Sequence, residues 1–237
     1  MKNFIKNYFL HLFLLIIILI IVGLEVVLKI NLFIGAVAYG FLIALIILLL
    51  SKADFSKTYP RLIILFMIVP IVRLAVLFLD ISFFQKIIIT YIFLYFLVAS
   101  YYSRLKIKLE YSKKHLKFLV LSIPLGIILG YTATHFLSFE KNLWFLALLP
   151  IIAYSEEFLF RGMIQKHLKE VYSPQTAILL TSVLYAVFSL SYGINAVLLF
   201  LIISLLTGLI YDQTDNIILP ISLNMMVHLF LLVVPIF

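Results

Sequence analysis

The chain has 237 residues, 65% of them hydrophobic and 12% charged, with no cysteine and a formal net charge of +8. Apolar runs of about twenty residues recur along it, long enough to cross a bilayer core as helix, which marks an integral membrane protein and sets aside the size rules of soluble domains. Segments of alternating polarity are absent, which argues against a membrane barrel. The lack of cysteine excludes disulfides, thiolate metal ligands and a cysteine nucleophile, and leaves the redox compartment open. The basic residues stand in short stretches beside apolar segments, the pattern of orientation signals, so no nucleic-acid role is expected.

Taken in chain order, Lys/Arg, Pro and polar clusters divide the sequence into nine apolar segments, near residues 7–29, 32–50, 61–79, 84–102, 117–138, 142–166, 174–191, 194–211 and 215–236. The fold expected is therefore all-α, a polytopic membrane helix bundle of about eight or nine transmembrane helices. The first segment follows a basic start at Lys2 and Lys6 but offers no small-residue cleavage site, so it reads as a retained helix. With a cytoplasmic N-terminus, the inner loops hold Lys52, Lys57 and Arg61, then the basic stretch "SRLKIKLEYSKKHLK" (103–117), then Lys166 and Lys169. The outer loops hold little beyond Lys29, Asp80, Lys86, Glu140 and Lys141. This asymmetry predicts a multi-pass protein of the plasma membrane with its N-terminus inside.

Residues 103–117 also separate two regions of different character, 1–114 and 115–237, within one membrane domain. In the first region the exceptions to an apolar pattern are Glu25 and Arg73. Glu25 precedes Lys29 by four residues, a spacing that predicts an ion pair on one helix face. Arg73 lies deeper; it can pair with a carboxylate elsewhere or snorkel to a headgroup, and its role stays open. In the second region polar residues recur at membrane depth: Ser155, Glu156, Glu157, Arg161, Ser182, Ser189, Asn224 and His228.

Ionisable residues at that depth are costly and need partners. On a helix Glu157 and Arg161 share a face at i, i+4, whereas Glu156 is turned about 100° away and meets other neighbours. Ser182, Tyr185 and Ser189 recur at i, i+3 and i+7, and Asn224 and His228 at i, i+4, so each set can line a cavity that Glu156 also faces. Pro220 removes one hydrogen bond and is expected to bend or widen the last helix before Asn224.

The stretch "EEFLFRG" (156–162) resembles the E-E-x-x-x-R signature of the CPBP family of intramembrane proteases, the CAAX-processing and bacteriocin-processing proteins also called Abi. "LLTSVLYAVFSLSYG" (179–193) and "LLTGLIYDQTDNIILPISLNMMVHLF" (205–230) resemble its second and third motif regions in pattern, so the resemblance covers about residues 115–235. Two motifs depart from it. The second motif, F-x-x-x-H, reads Tyr185 and Ser189 here, and the third, H-x-x-x-N, is reversed as Asn224 and His228.

The resemblance implies that Glu156 is the general base, that Glu157 with Arg161 orients it, and that Ser189 stands where the base's histidine partner would. It places Asn224 and His228 at the oxyanion, and both can donate hydrogen bonds there. Serine cannot replace imidazole as ligand or relay, so metal binding would rest on Glu156, His228 and Glu157, and the cofactor and metal are unknown. A transporter or channel, with buried charges as its ion path, is disfavoured by the absence of paired broken helices in two related halves, and two readings lead. One is an endopeptidase cleaving a membrane-associated peptide near the cytoplasmic face. The other is a catalytically degenerate member that serves as a membrane scaffold or bacteriocin-immunity factor, with a membrane protein as its partner.

Overall fold

The structure is a computed structural model that describes residues 2–51, 53–54, 57–102, 113–136 and 144–233. Most of the basic stretch 103–117, and Lys52, lie outside the described residues. Among the described residues every regular element is helical. Also among the described residues, four helices are long and apolar enough to cross a membrane, namely His11–Ile30, Leu32–Leu50, Thr58–Val76 and Ile194–Thr214. Shorter apolar helices span Gln85–Ser100, Leu116–Thr132, Pro174–Phe188 and Ile218–Leu231. The chain divides into two compact units, Met1–Asp80 and Ile81–Phe237.

The first unit holds α1 (Lys2–Ile30), α2 (Leu32–Leu50) and α3 (Thr58–Leu77). Asn31 makes the turn between α1 and α2: its backbone is extended and its side chain accepts from the Ile34 N–H at 3.1 Å. That satisfies one of the orphan donors of the new helix. Gly35 lies so close to the backbone of Leu28 that a Cβ there would overlap it, which keeps the two helices tight at the turn.

Glu25 does not pair with Lys29. Its carboxylate accepts from Arg73 of α3 and, at 2.8 Å, from the hydroxyl of Tyr39 of α2, which also reaches the Ile21 carbonyl at 3.3 Å. The reason is burial. Glu25 is 3% exposed and faces the other helices, whereas Lys29 is exposed, so a pair with Lys29 would be screened and would leave the carboxylate uncompensated inside. Arg73 is thus the cation that Glu25 requires, and one contact from each helix pins the unit.

The second unit holds α4 (Phe83–Tyr102), α5 (Lys113–Phe136), α6 (Trp144–Glu157), a π-helical segment (Phe158–Gln165), α7 (Lys166–Leu168), α8 (Pro174–Phe188), α9 (Ile194–Thr214) and α10 (Ile218–Val233). Ser173 caps α8 and Pro174 opens it, where the absent N–H costs nothing. A 3₁₀ turn (Ser189–Tyr192) and Gly193, at φ 116°, lead into α9. Asp215, left-handed at φ 49°, ends α9, and the Asn216 side chain accepts from the Ile218 N–H at 2.9 Å to start α10.

Pro220 therefore falls in the first turn of α10, three residues in, and breaks no interior hydrogen bond. The expected bend before Asn224 has no basis, because the helix starts later than the apolar run. Helix α10 packs against α5, α6 and α9, most extensively against α5. Gly126 and Gly130, one turn apart on α5, face Met226 and Phe230, and a Cβ at either glycine would collide with the partner's Cβ. This is the small-residue packing by which membrane helices approach closely. Replacing Gly130 by leucine should separate α5 from α10 and lower the thermal stability of detergent-solubilised protein, while the same change at Gly40, which has open space, should leave it close to the parent. Melting curves of the two variants check this.

Candidate active site

Arg161 is fully buried in the π-helical segment and spends its guanidinium on two helices. Its Nε donates to Glu157 at 3.2 Å and its Nη1 to the Gln165 side-chain oxygen at 3.3 Å. Its Nη2 donates to the Ser204 carbonyl and the Thr207 hydroxyl of α9, both at 2.8 Å, and to the Ser204 hydroxyl. Gln165 in turn donates to the Gly208 carbonyl at 3.0 Å. Glu157, Arg161 and Gln165 are spaced four apart, close to one turn in either an α- or a π-helix, so they keep a common face toward α9. A Cβ on Gly208 would stand 3.2 Å from both Arg161 Nη1 and Gln165 Oε1, which explains a glycine at this point of α9.

Because Arg161 is matched to Glu157, Glu156 has no fixed cation. It collects hydrogen bonds from three other helices instead. Tyr91 of α4 donates to its Oε1. The Tyr185 hydroxyl of α8 reaches Oε2 at 2.6 Å, the Asn224 amide of α10 at 3.0 Å and the His228 Nε2, also of α10, at 3.4 Å. Asn224 bridges the two carboxylates, since the same nitrogen lies 3.0 Å from Glu157 Oε1, with the Tyr185 oxygen at 3.3 Å. Its own carbonyl oxygen is buried with no partner among the described residues. His228 keeps 12% of its side chain exposed and packs its ring at 5.9 Å from that of Phe200; every other member of the cluster is more deeply buried.

The fold thus brings Glu156, Glu157, Arg161, Asn224 and His228 together, and Tyr185 joins them. Ser189 is not brought to Glu156 by a hydrogen bond. It is buried at the end of α8, where its hydroxyl donates to the Ala186 carbonyl at 2.6 Å as the helix tightens into the 3₁₀ turn. Ser182 is buried with its hydroxyl unpartnered among the described residues. Asn224 has both amide hydrogens directed at carboxylates and a tyrosine oxygen, so in this arrangement none is directed at a substrate.

Tyr91, Gln165, Ser204, Thr207 and Gly208 had not been expected at the site. Thr207 and Gly208 lie inside the stretch "LLTGLIY" and Gln165 lies one turn beyond Arg161, so those signals were present. Tyr91 stands in an apolar helix before residue 103 and carried none.

A carboxylate-centred polar cluster enclosed by apolar helices defines a membrane-embedded helical protein with an interior polar site. Within it, residues 138–230 match the family model described as type II CAAX prenyl endopeptidase Rce1-like, so this region is similar to CAAX-protease-like proteins. Neither the comparison with curated proteins nor that with solved structures returned a match.

A metal would need more donors than the cluster supplies. Among the described residues no group of three or more His, Asp or Glu side chains is placed to hold an ion. Glu157 is committed to Arg161 and Asn224, which leaves Glu156 and His228, fewer ligands than the three protein side chains of an ordinary catalytic zinc.

Replacing Arg161 by alanine leaves the Glu157 carboxylate and the α9 carbonyl and hydroxyls without their donors, at a cost of about 3–5 kcal/mol for the broken pair. Glu156→Gln keeps an acceptor oxygen for the surrounding hydroxyls. The yield of folded, detergent-stable protein should therefore fall far more for Arg161→Ala than for Glu156→Gln, as size-exclusion profiles at equal expression will show.

Proposed function

We propose that the chain is an intramembrane endopeptidase that cleaves a membrane-associated peptide near the cytoplasmic face, with Glu156 as the base and His228 as its imidazole partner. The observation that carries this reading is the 3.4 Å contact between His228 Nε2 and Glu156 Oε2, at the most exposed member of an otherwise sealed cluster. Imidazole is absent from position 189, and His228 supplies one from α10. The substrate class to try first is the one in the family's description, a prenylated carboxyl-terminal peptide, because such a chain is already held at the bilayer.

In this mechanism the Glu156–His228 pair takes one proton from a water whose oxygen attacks the scissile carbonyl carbon. Negative charge then leaves the carboxylate and appears on the former carbonyl oxygen. The Tyr185 hydroxyl and the Asn224 amide, which donate to Glu156 at rest, can follow the charge and donate to that oxygen, so the oxyanion donors are those now gathered on the base. The proton returns to the leaving amine as the C–N bond breaks. Glu157 and Arg161 stay paired throughout and hold the segment that carries Glu156.

Cleavage of a membrane-tethered, carboxyl-terminally prenylated reporter by protein in liposomes tests the proposal. Glu156→Gln and His228→Gln should each lower the rate by about 10²–10⁴-fold, the usual worth of a positioned acid–base group, with folded yield near the parent's. A parent chain that cleaves no reporter while keeping its cellular phenotype would sink it.

A second reading is favoured by one observation, the commitment of the Ser189 hydroxyl to the Ala186 carbonyl, which leaves the family's histidine position with no group for the reaction. On this reading the chain is a membrane scaffold or immunity factor, and Glu156→Gln keeps the phenotype in full. The proposal also includes a plasma-membrane location with a cytoplasmic N-terminus, supported by the Lys/Arg asymmetry. A cysteine at position 113 should then resist a membrane-impermeant maleimide added to intact cells and react after permeabilisation; labelling from outside would reverse the orientation.

A further inference from the structure

The two oxygens of Glu156 are unequally engaged. Oε2 receives Tyr185, Asn224 and His228, whereas Oε1 receives Tyr91. A carboxylate oxygen offers two lone-pair sites, so Oε2 is filled and Oε1 retains one. We infer that Oε1 is the oxygen that takes the proton from water, and that Tyr91 is a positioning residue that aims its remaining lone pair. The inference rests on the endopeptidase reading for the reaction and on geometry alone for the contact.

The physical argument concerns rotation. The terminal torsion of a glutamate is broad and two-fold, so a carboxylate held by one oxygen can still swing its other oxygen through a wide arc. Three donors on Oε2 fix that atom, and the hydroxyl of Tyr91 fixes the plane. A base displaced by a fraction of an ångström from the water loses rate without losing binding, because the misplacement acts on the reacting atoms. Tyr91 is 3% exposed and stands in α4, outside the residues matched by the family model, so the working site extends beyond that region. Helix α4 also meets α6 away from this hydroxyl: one turn on, Tyr95 packs against Tyr154 with the rings tilted and their centres 5.5 Å apart.

Tyr91→Phe removes the hydroxyl and keeps the ring, and Tyr95→Phe on the same helix is the control. Infrared difference spectra of the full chain, with the Glu156 carboxyl band assigned by its loss in Glu156→Gln, should show that band displaced in Tyr91→Phe and unmoved in Tyr95→Phe. In the reporter assay, Tyr91→Phe should lower kcat by roughly ten- to a hundred-fold, the worth of a hydrogen bond to a charged group, with KM within about two-fold of the parent and an unchanged melting temperature. An unmoved band, or kcat equal to the parent's, overturns the inference. If the parent cleaves no reporter, the endopeptidase reading fails on its own assay and the band alone decides whether Tyr91 positions Glu156.

Discussion

The burial of one guanidinium organises the second unit. Arg161 has no route to water, so the chain must bring acceptors to it, and a single carboxylate cannot fill five N–H donors. One further acceptor is the Gln165 side-chain oxygen, and the others, the Ser204 carbonyl and the Ser204 and Thr207 hydroxyls, come from α9, whose Gly208 carbonyl accepts from Gln165 in turn. Close approach is then compulsory, and Gly208 is the residue that permits it. The consequence for chemistry is indirect. By absorbing the charge of Glu157, Arg161 leaves Glu156 to neutral hydroxyls, an amide and an imidazole, the type of environment in which a carboxylate can give up its charge to a neighbouring atom.

Much of this was readable in the residues because the expensive groups are few. In a chain with 12% charged residues, "SEEFLFRG" cannot be surface decoration, and the i, i+4 spacing of Glu157 and Arg161 gives their pairing directly. Asn224 and His228, on α10, follow from the same reasoning. What spacing cannot give is which helix comes alongside. Glu25 illustrates the failure: its local partner Lys29 satisfies the helical rule, yet the true partner lies on α3, selected by packing. Tyr91 fails for the opposite reason, since a tyrosine among apolar residues is cheap at a bilayer and draws no notice. Ser189 fails because a short hydroxyl near a helix end prefers its own backbone.

The two units use one device differently. Glu25, Tyr39 and Arg73 join α1, α2 and α3 by a closed set in which anion, cation and hydroxyl come from separate helices. Glu156 also gathers donors from separate helices, but it has no Arg or Lys partner, and one of its partners, His228, is partly exposed. In the first unit an arginine answers the carboxylate, whereas in the second Glu156 is answered by hydroxyls, an amide and an imidazole.

The π-helical segment Phe158–Gln165 adds a coordinate to this site that side-chain rotamers do not describe. Its i→i+5 hydrogen bonds accommodate one residue more than α geometry would over the same rise, and that surplus can in principle be passed along the backbone without cutting the chain. Each such step would turn the residues it crosses by about 100° relative to α9, carrying Arg161 away from Ser204 and Thr207. The site as described therefore depends on the backbone phase of this segment as well as on its side-chain contacts.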